Sequence, residues 1–330
     1  MTLTACSYSA ASLSPSTRSN SVASSPSAAT PIVSFYDYQL YDPSGKTLSL
    51  NALPETFTQA EVILIGEWHT HSAIHRFQAD FIQAMASQGR DTALSMEQFS
   101  RDAQPHLNAY LNGEIGEQTL ITSGNAWPNY ESDYRPLVEL AKTFNWPVIA
   151  ANAPKSTVRC VGRVGLSYLD RLSDDERRLV AAKINTEDSA YKRKFMASMH
   201  HGEPAQTEKQ YAAQMTWDET MAESIVQYLN DHPGHQVIHV AGKFHTEQGL
   251  GTKASILARN PNLSVVVITP MSDIASIIDA ASEPQPLNTD YPLHVLAPPV
   301  RFVKMENQMA AFHKMSTRHG SNECQPTEAP

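Results

Sequence analysis

The stretch Val62-Ile63-Leu64-Ile65-Gly66-Glu67-Trp68-His69 decides the fold. Four consecutive aliphatic residues form a short strand apolar on both faces, the pattern of a buried parallel strand. Gly66 permits a sharp turn at its end. From Ala73 to Ser87, Ile74, Phe77, Phe81, Ile82 and Met85 recur at helical spacing, and Gly89 supplies a stop. A buried strand running through a glycine into a helix is an α/β unit.

Outward from this unit the alternation continues. Thr92–Met96 reads as a second strand, Tyr134–Phe144 as a helix, and Pro147–Ala151 as a third strand. Later come strands at Gln236–Val240 and Ser264–Ile268, with a helix at Ala254–Arg259. The fold class is therefore α/β, a mainly parallel sheet flanked by helices. Between about 155 and 232 the pattern is helical throughout. Ser173 is suited to cap a helix at Asp174, and Glu208–Asn230 carries Tyr211, Met215, Ala222, Ile225, Val226 and Leu229 on one face. This region reads as a helical insertion inside a domain spanning 31–282. Residues 283–330 form a Pro-containing C-terminal extension, its polar end from Ser316 expected to be disordered.

Composition narrows the function classes. The 330 residues hold 25 Lys and Arg against 34 Asp and Glu, a net charge of −9, so no basic character points to nucleic acid. No apolar run reaches the ~18 residues of a membrane span. Three cysteines are too few for a disulfide scaffold, whereas the thirteen histidines invite a search for chemistry.

Near the N-terminus, Leu3-Thr4-Ala5-Cys6 has the form of a lipobox, in which the cysteine is lipidated. Only five residues precede Cys6, fewer than a full signal needs. Residues 7–30 contain ten serines and read as a disordered tether. A lipid on Cys6 followed by such a tether predicts a periplasmic domain hung from a membrane. In that oxidising space Cys160 and Cys324 either pair or remain inert thiols.

The candidate chemistry lies at strand ends, where ligands sit in open α/β sheets. Glu67 and His69 follow the first strand. Gly242-Lys243-Phe244-His245 follows the strand 236–240 and repeats the Gly-x-x-His pattern, and Glu97 ends the strand 92–96. Glu67, His69, Glu97 and His245 could together bind a divalent first-row metal, with His69 and His245 as ligands, which gives a metal-dependent hydrolase as the alternative function, or work as acid and base without one. The His-Glu-x-x-His, Gly-x-Ser-x-Gly and P-loop patterns are absent. His71, His106, His232, His235, His294, His313 and His319 are expected at the surface, and His75 is expected to aim back towards His71.

These residues resemble the motifs of ChaN-like haem-binding lipoproteins. The resemblance rests on Ile63–His69 with His75 and Gln78, on Ser95-Met96-Glu97-Gln98-Phe99, and on Ala150–Pro154. It extends through Trp217-Asp218 with Met221 and Ala222, and through Ala241–His245 with Gly249 and Gly251. The wider superfamily includes erythromycin esterase and the Tiki/TraB proteins, with a Gly-x-x-His and acidic active site. The resemblance implies an outer-membrane lipoprotein facing the periplasm that binds haem at a homodimer interface for iron uptake. It implies a binding protein more than an enzyme, handing haem to a receptor or transporter. It also implies a tyrosine ligand, for which Tyr211 is the candidate, with His200 and His201 beside it. Lys243 and Phe244 replace the smaller residues usual before the second histidine, and Phe244 is expected to narrow the pocket.

Overall fold

The computed structural model describes residues 31–198, 203–273, 290–317 and 324. Cys6, the Ser-rich stretch, the His200-His201 pair, His319 and nearly all of the tail beyond Thr317 lie outside the described residues.

Eight strands form one mixed sheet: β1 (Tyr38–Tyr41), β2 (Thr47–Leu48), β3 (Val62–Glu67), β4 (Thr92–Ser100), β5 (Val148–Asn152), β6 (Gln236–Gly242), β7 (Val265–Met271) and β8 (Tyr291–Val295). Their spatial order is β2-β1-β8-β7-β3-β6-β4-β5. The six strands from β8 to β5 are parallel, and β1 pairs antiparallel with both β8 and β2. Helices α1 (Glu55–Gln59), α2 (Ser72–Ala86), α3 (Gln104–Leu111), α4 (Glu117–Ser123) and α5 (Arg135–Thr143) precede β5. The segment between β5 and β6 carries α6 (Lys155–Val164), α7 (Asp174–Arg177), α8 (Ala190–Ser198) and α9 (Pro204–Asp231). Beyond β6 come α10 (Lys243–Thr246) and α11 (Thr252–Arg259), and a last helix covers Met305–Thr317.

The unbroken apolar run of β3 follows from its central position. Ile63 and Ile65 join the core formed with Phe77 and Phe81 of α2 and Leu137 of α5. Val62 and Leu64 point the other way, onto Ala222, Ile225 and Leu229 of α9 and Ile256 of α11. Each such fully buried aliphatic side chain contributes about 1.5–3 kcal/mol, and period-two alternation delivers them to both layers. Ser173 caps α7 as expected, in a reciprocal capping box with Glu176.

Three features differ from the sequence reading. The hairpin β1–β2 has strands too short to show a periodic signal. Strand β8 lies within the proposed extension yet is hydrogen-bonded between β1 and β7, so the sheet continues past residue 282. Strand β4 runs on to Ser100 through an irregularity between Met96 and Ser100, where three residues face the single Ala151 of β5. Such bulges re-aim side chains, and Glu97 and Gln98 sit inside this one. Cys160 of α6 is bonded to Cys324, which ties position 324 to the helical layer.

Candidate functional site

Parallel pairing of β3 with β6 sets Gly66 opposite Ala241 and Glu67 opposite Gly242, so the two Gly-x-x-His elements leave the sheet side by side. Both glycines are required by close approach. An added Cβ on Gly66 would stand 2.6 Å from Thr246 Oγ1, and one on Gly242 would stand 2.8 Å from His69 Cε1.

Each histidine is oriented by a buried acidic side chain. His69 Nδ1 lies 2.9 Å from Glu67 Oε1, and His245 Nδ1 lies 3.0 Å from Asp218 Oδ1. Glu67 is itself saturated with donors. Its Oε1 accepts from the Tyr134 hydroxyl (2.6 Å) and Gln98 Nε2 (3.0 Å), and its Oε2 accepts from Gln78 Nε2 (2.8 Å). Asp218 Oδ1 accepts from the Thr252 hydroxyl and Oδ2 from the Tyr191 hydroxyl. Glu97 lies between the dyads: its Oε2 accepts from the Gly242 N–H (2.5 Å), and its Oε1 is 3.6 Å from His245 Nε2. A tryptophan edges each imidazole, Trp127 at 4.9 Å from His69 and Trp217 at 6.1 Å from His245 between ring centroids.

The electrostatics follow from this pairing. Burial opposes charge on His245, but Asp218 and Glu97 outweigh it and push the imidazole up to about 9. Burial also opposes charge on His69, yet the hydrogen bond to Glu67 and the field of Glu97 raise it above its ordinary value. Glu67 is pushed up by burial and pulled further down by the His69 hydrogen bond and His75, so its carboxyl falls below the usual range. His239, wholly buried beneath the site against Ser95, is pushed down to about 3 by desolvation and stays neutral.

Two clefts flank the histidines. One, of about 620 Å³, lies between Trp127 and Trp217 and is lined by His69, Glu97, Gln98 and His245. The other, of about 920 Å³, opens between Trp68 and Phe244, with His69, His71 and Pro298 in its wall and Lys243 and Arg301 among its lining. Both volumes suit a small-molecule ligand. The His69 side chain lines both clefts and is 45 % exposed, with Nδ1 committed to Glu67.

Glu67, His69, Glu97 and His245 are thus brought together. Among the described residues no group of three or more His, Cys, Asp and Glu side chains is arranged to hold a metal ion, so the divalent-metal reading gains no support. The arrangement can hold and exchange protons and can present one imidazole to a ligand. Tyr211 lies elsewhere: it is 1 % exposed, packed with Tyr191, Phe195 and Met215, its hydroxyl 3.3 Å from Ser189 Oγ. Phe244 packs against that aromatic cluster while forming a wall of the larger cleft.

His71, expected at the surface, is buried, with Nε2 2.9 Å from the Leu296 carbonyl and its ring against Trp68 and Phe35. His232 and His313 are exposed; His106, His235 and His294 are half-buried. His75 turns to Gln78 Oε1 and the His69 carbonyl, not to His71. The sequence reading named Asp218 only within the resemblance and gave it no role at the site, although a further signal existed. Asp218 falls inside the apolar stripe Met215, Ala222, Ile225 of α9, and a carboxyl group on a core-facing stripe needs a partner.

The family model described as "Haem-binding uptake, Tiki superfamily, ChaN" matches residues 53–256. The fold resembles that of ChaN from Campylobacter jejuni, solved with cofacially bound haem, at a TM-score of 0.58 and 18 % identity. That match covers 81 % of this chain and all of the other. More distant likenesses are a Bacillus cereus protein (TM-score 0.39, 14 % identity, 70 % of each chain) and an erythromycin esterase mutant in its open conformation. The latter has TM-score 0.40 and 11 % identity over 71 % of this chain and 76 % of that one. No curated protein matches the sequence significantly.

Proposed function

The chain belongs to the ChaN-type haem-binding uptake family of the Tiki superfamily, and from that premise we propose that it is a membrane-tethered, periplasm-facing haem-binding protein serving iron acquisition. The family match carries the reading, and the larger cleft supports it. Trp68, Phe35 and Phe244 offer apolar walls to a flat macrocycle, while Lys243 and Arg301 can pair with two propionates. His69 supplies a donor for iron: its Nδ1 bonds to Glu67, the arrangement that orients metal-binding histidines through the other nitrogen. Ligation by Tyr211 instead would require the cluster around Phe195 and Phe244 to open. Haem bound there is cargo, to be handed to a receptor or transporter component.

The compartment rests on two features. Leu3-Thr4-Ala5-Cys6 has the form of a lipobox, and a disulfide between Cys160 and Cys324 suits an oxidising space. No described helix is long and apolar enough to cross a membrane.

Haem titration of the full chain tests the function. A Soret band should saturate at fixed stoichiometry, shift and weaken in His69→Ala, and stay unchanged in Tyr211→Phe. A band moved by Tyr211→Phe and not by His69→Ala would reassign the ligand. No saturable band at all would overturn haem binding.

A further inference from the structure

The exposed large hydrophobic residues fall in two short segments among the described residues. Val33, Phe35 and Tyr36 form one, and Val300, Phe302, Val303, Met305 and Met309 the other. The two meet at the larger cleft. Phe35 packs on His71 at 5.3 Å, His71 bonds to the Leu296 carbonyl, and Phe35, Pro298 and Arg301 all line the cleft. Val300 (79 % exposed) stands in the chain between Pro299 and Arg301 of the cleft lining, and Val303 (92 % exposed) follows them. Isolated apolar residues on a surface mean little, but a contiguous patch marks an interaction site.

We propose that this face rests on a lipid bilayer, so that haem passes between the lipid and the cleft without crossing open water. The proposal rests on the haem reading above and on the lipid at Cys6. Cys6 is followed by 24 residues before Pro31 (30 − 6), and Val33 comes two positions later (33 − 31). A Ser-rich linker of that length has a root-mean-square span of roughly 27 Å, which keeps this end of the domain near the anchor. Arg301 and Lys304 interleave with the apolar residues, Lys304 standing 3.6 Å from the Glu306 carboxylate, and Arg301 can reach anionic headgroups. In the last helix, Met305 and Met309 are one turn apart on the same side, as in helices that lie in the interface plane. Haem suits such a route, being a planar apolar body with two charged propionates.

The test uses the full chain carrying Cys6→Ser, which removes the lipid and leaves only the folded face. Mixed haem-free with vesicles of phosphatidylethanolamine and phosphatidylglycerol, it should float with them. Val300→Asp combined with Val303→Asp should cut the bound fraction by about tenfold or more, with the same melting temperature and the same haem titration in vesicle-free buffer. Absence of flotation by the Cys6→Ser chain, or equal flotation by the double variant, overturns the proposal. So does loss of a dimer in the double variant with flotation unchanged, because a second copy then covers the face. A chain that floats but gives no saturable Soret band supports the docking and overturns the cargo reading alone.

Discussion

The imidazole of His69 lies directly over Gly242: an added Cβ there would stand 3.0 Å from Nε2 and 3.5 Å from Glu97 Oε2. Contact between the first Gly-x-x-His element and the glycine of the second locks the two strand ends into one site.

Gly242→Ala must therefore displace His69 or open β3 from β6. It should destabilise the protein by about 1–3 kcal/mol and weaken haem binding, read by denaturant titration and Soret titration. Gly116, where an added Cβ meets nothing within 4 Å, serves as the control site and should respond less. Equal responses at both positions would contradict the close-contact account.

His245 gives the protein an alkaline limit. Its folded value of about 9 exceeds the ordinary 6.5, so its stabilisation is complete below pH 6.5 and disappears as pH rises through 9. The window is worth roughly 3 kcal/mol at most. Denaturation free energies should fall across it, and Asp218→Asn should flatten that fall and bring the His245 resonance in NMR back towards an ordinary titration.

Tyr134→Phe removes one of the donors that Glu67 accepts. Because Glu67 is buried, the expected cost is about 1–3 kcal/mol, with Gln98, Gln78 and His69 keeping the carboxylate in place. A melting curve indistinguishable from that of the unaltered chain would show that water or a shifted Gln98 replaces the hydroxyl.

Reduction should destabilise the fold. The Cys160–Cys324 bond joins residues 164 apart, and losing a bond of that reach costs about 2–5 kcal/mol. Thiol reductant and Cys160→Ser should each lower the melting temperature, and adding reductant to the variant should lower it no further.

Haem affinity should rise with pH. Protonation of His69 competes with iron, and its value lies above 6.5, so binding should strengthen as pH climbs through that raised value. Glu67→Gln removes the charge holding the proton and should move the onset to lower pH. An affinity flat across that range would exclude His69 as the ligand.

Much of the layering was legible in the chain. Buried strands announce themselves as unbroken aliphatic runs, and helices as apolar stripes, because both signals are contained within one element. The short strands β1 and β2 carry no such signal. Strand β8 was hidden by Pro292, a residue that argues against an interior strand, and by its short length.

The site divides along the same line. Sequence alone determined that Glu67-x-His69 and Gly242-x-x-His245 stand at the ends of strands, since a strand's end is local. Only the tertiary structure decided that β3 and β6 are neighbours in register, because strand order is set by packing between residues more than 170 positions apart (242 − 66 = 176). It likewise decided that Asp218 serves His245, that His71 is buried against Leu296, and that Phe35 and Arg301 meet at one cleft. A side chain's partner is fixed by what the rest of the chain folds against it, and no local pattern records that.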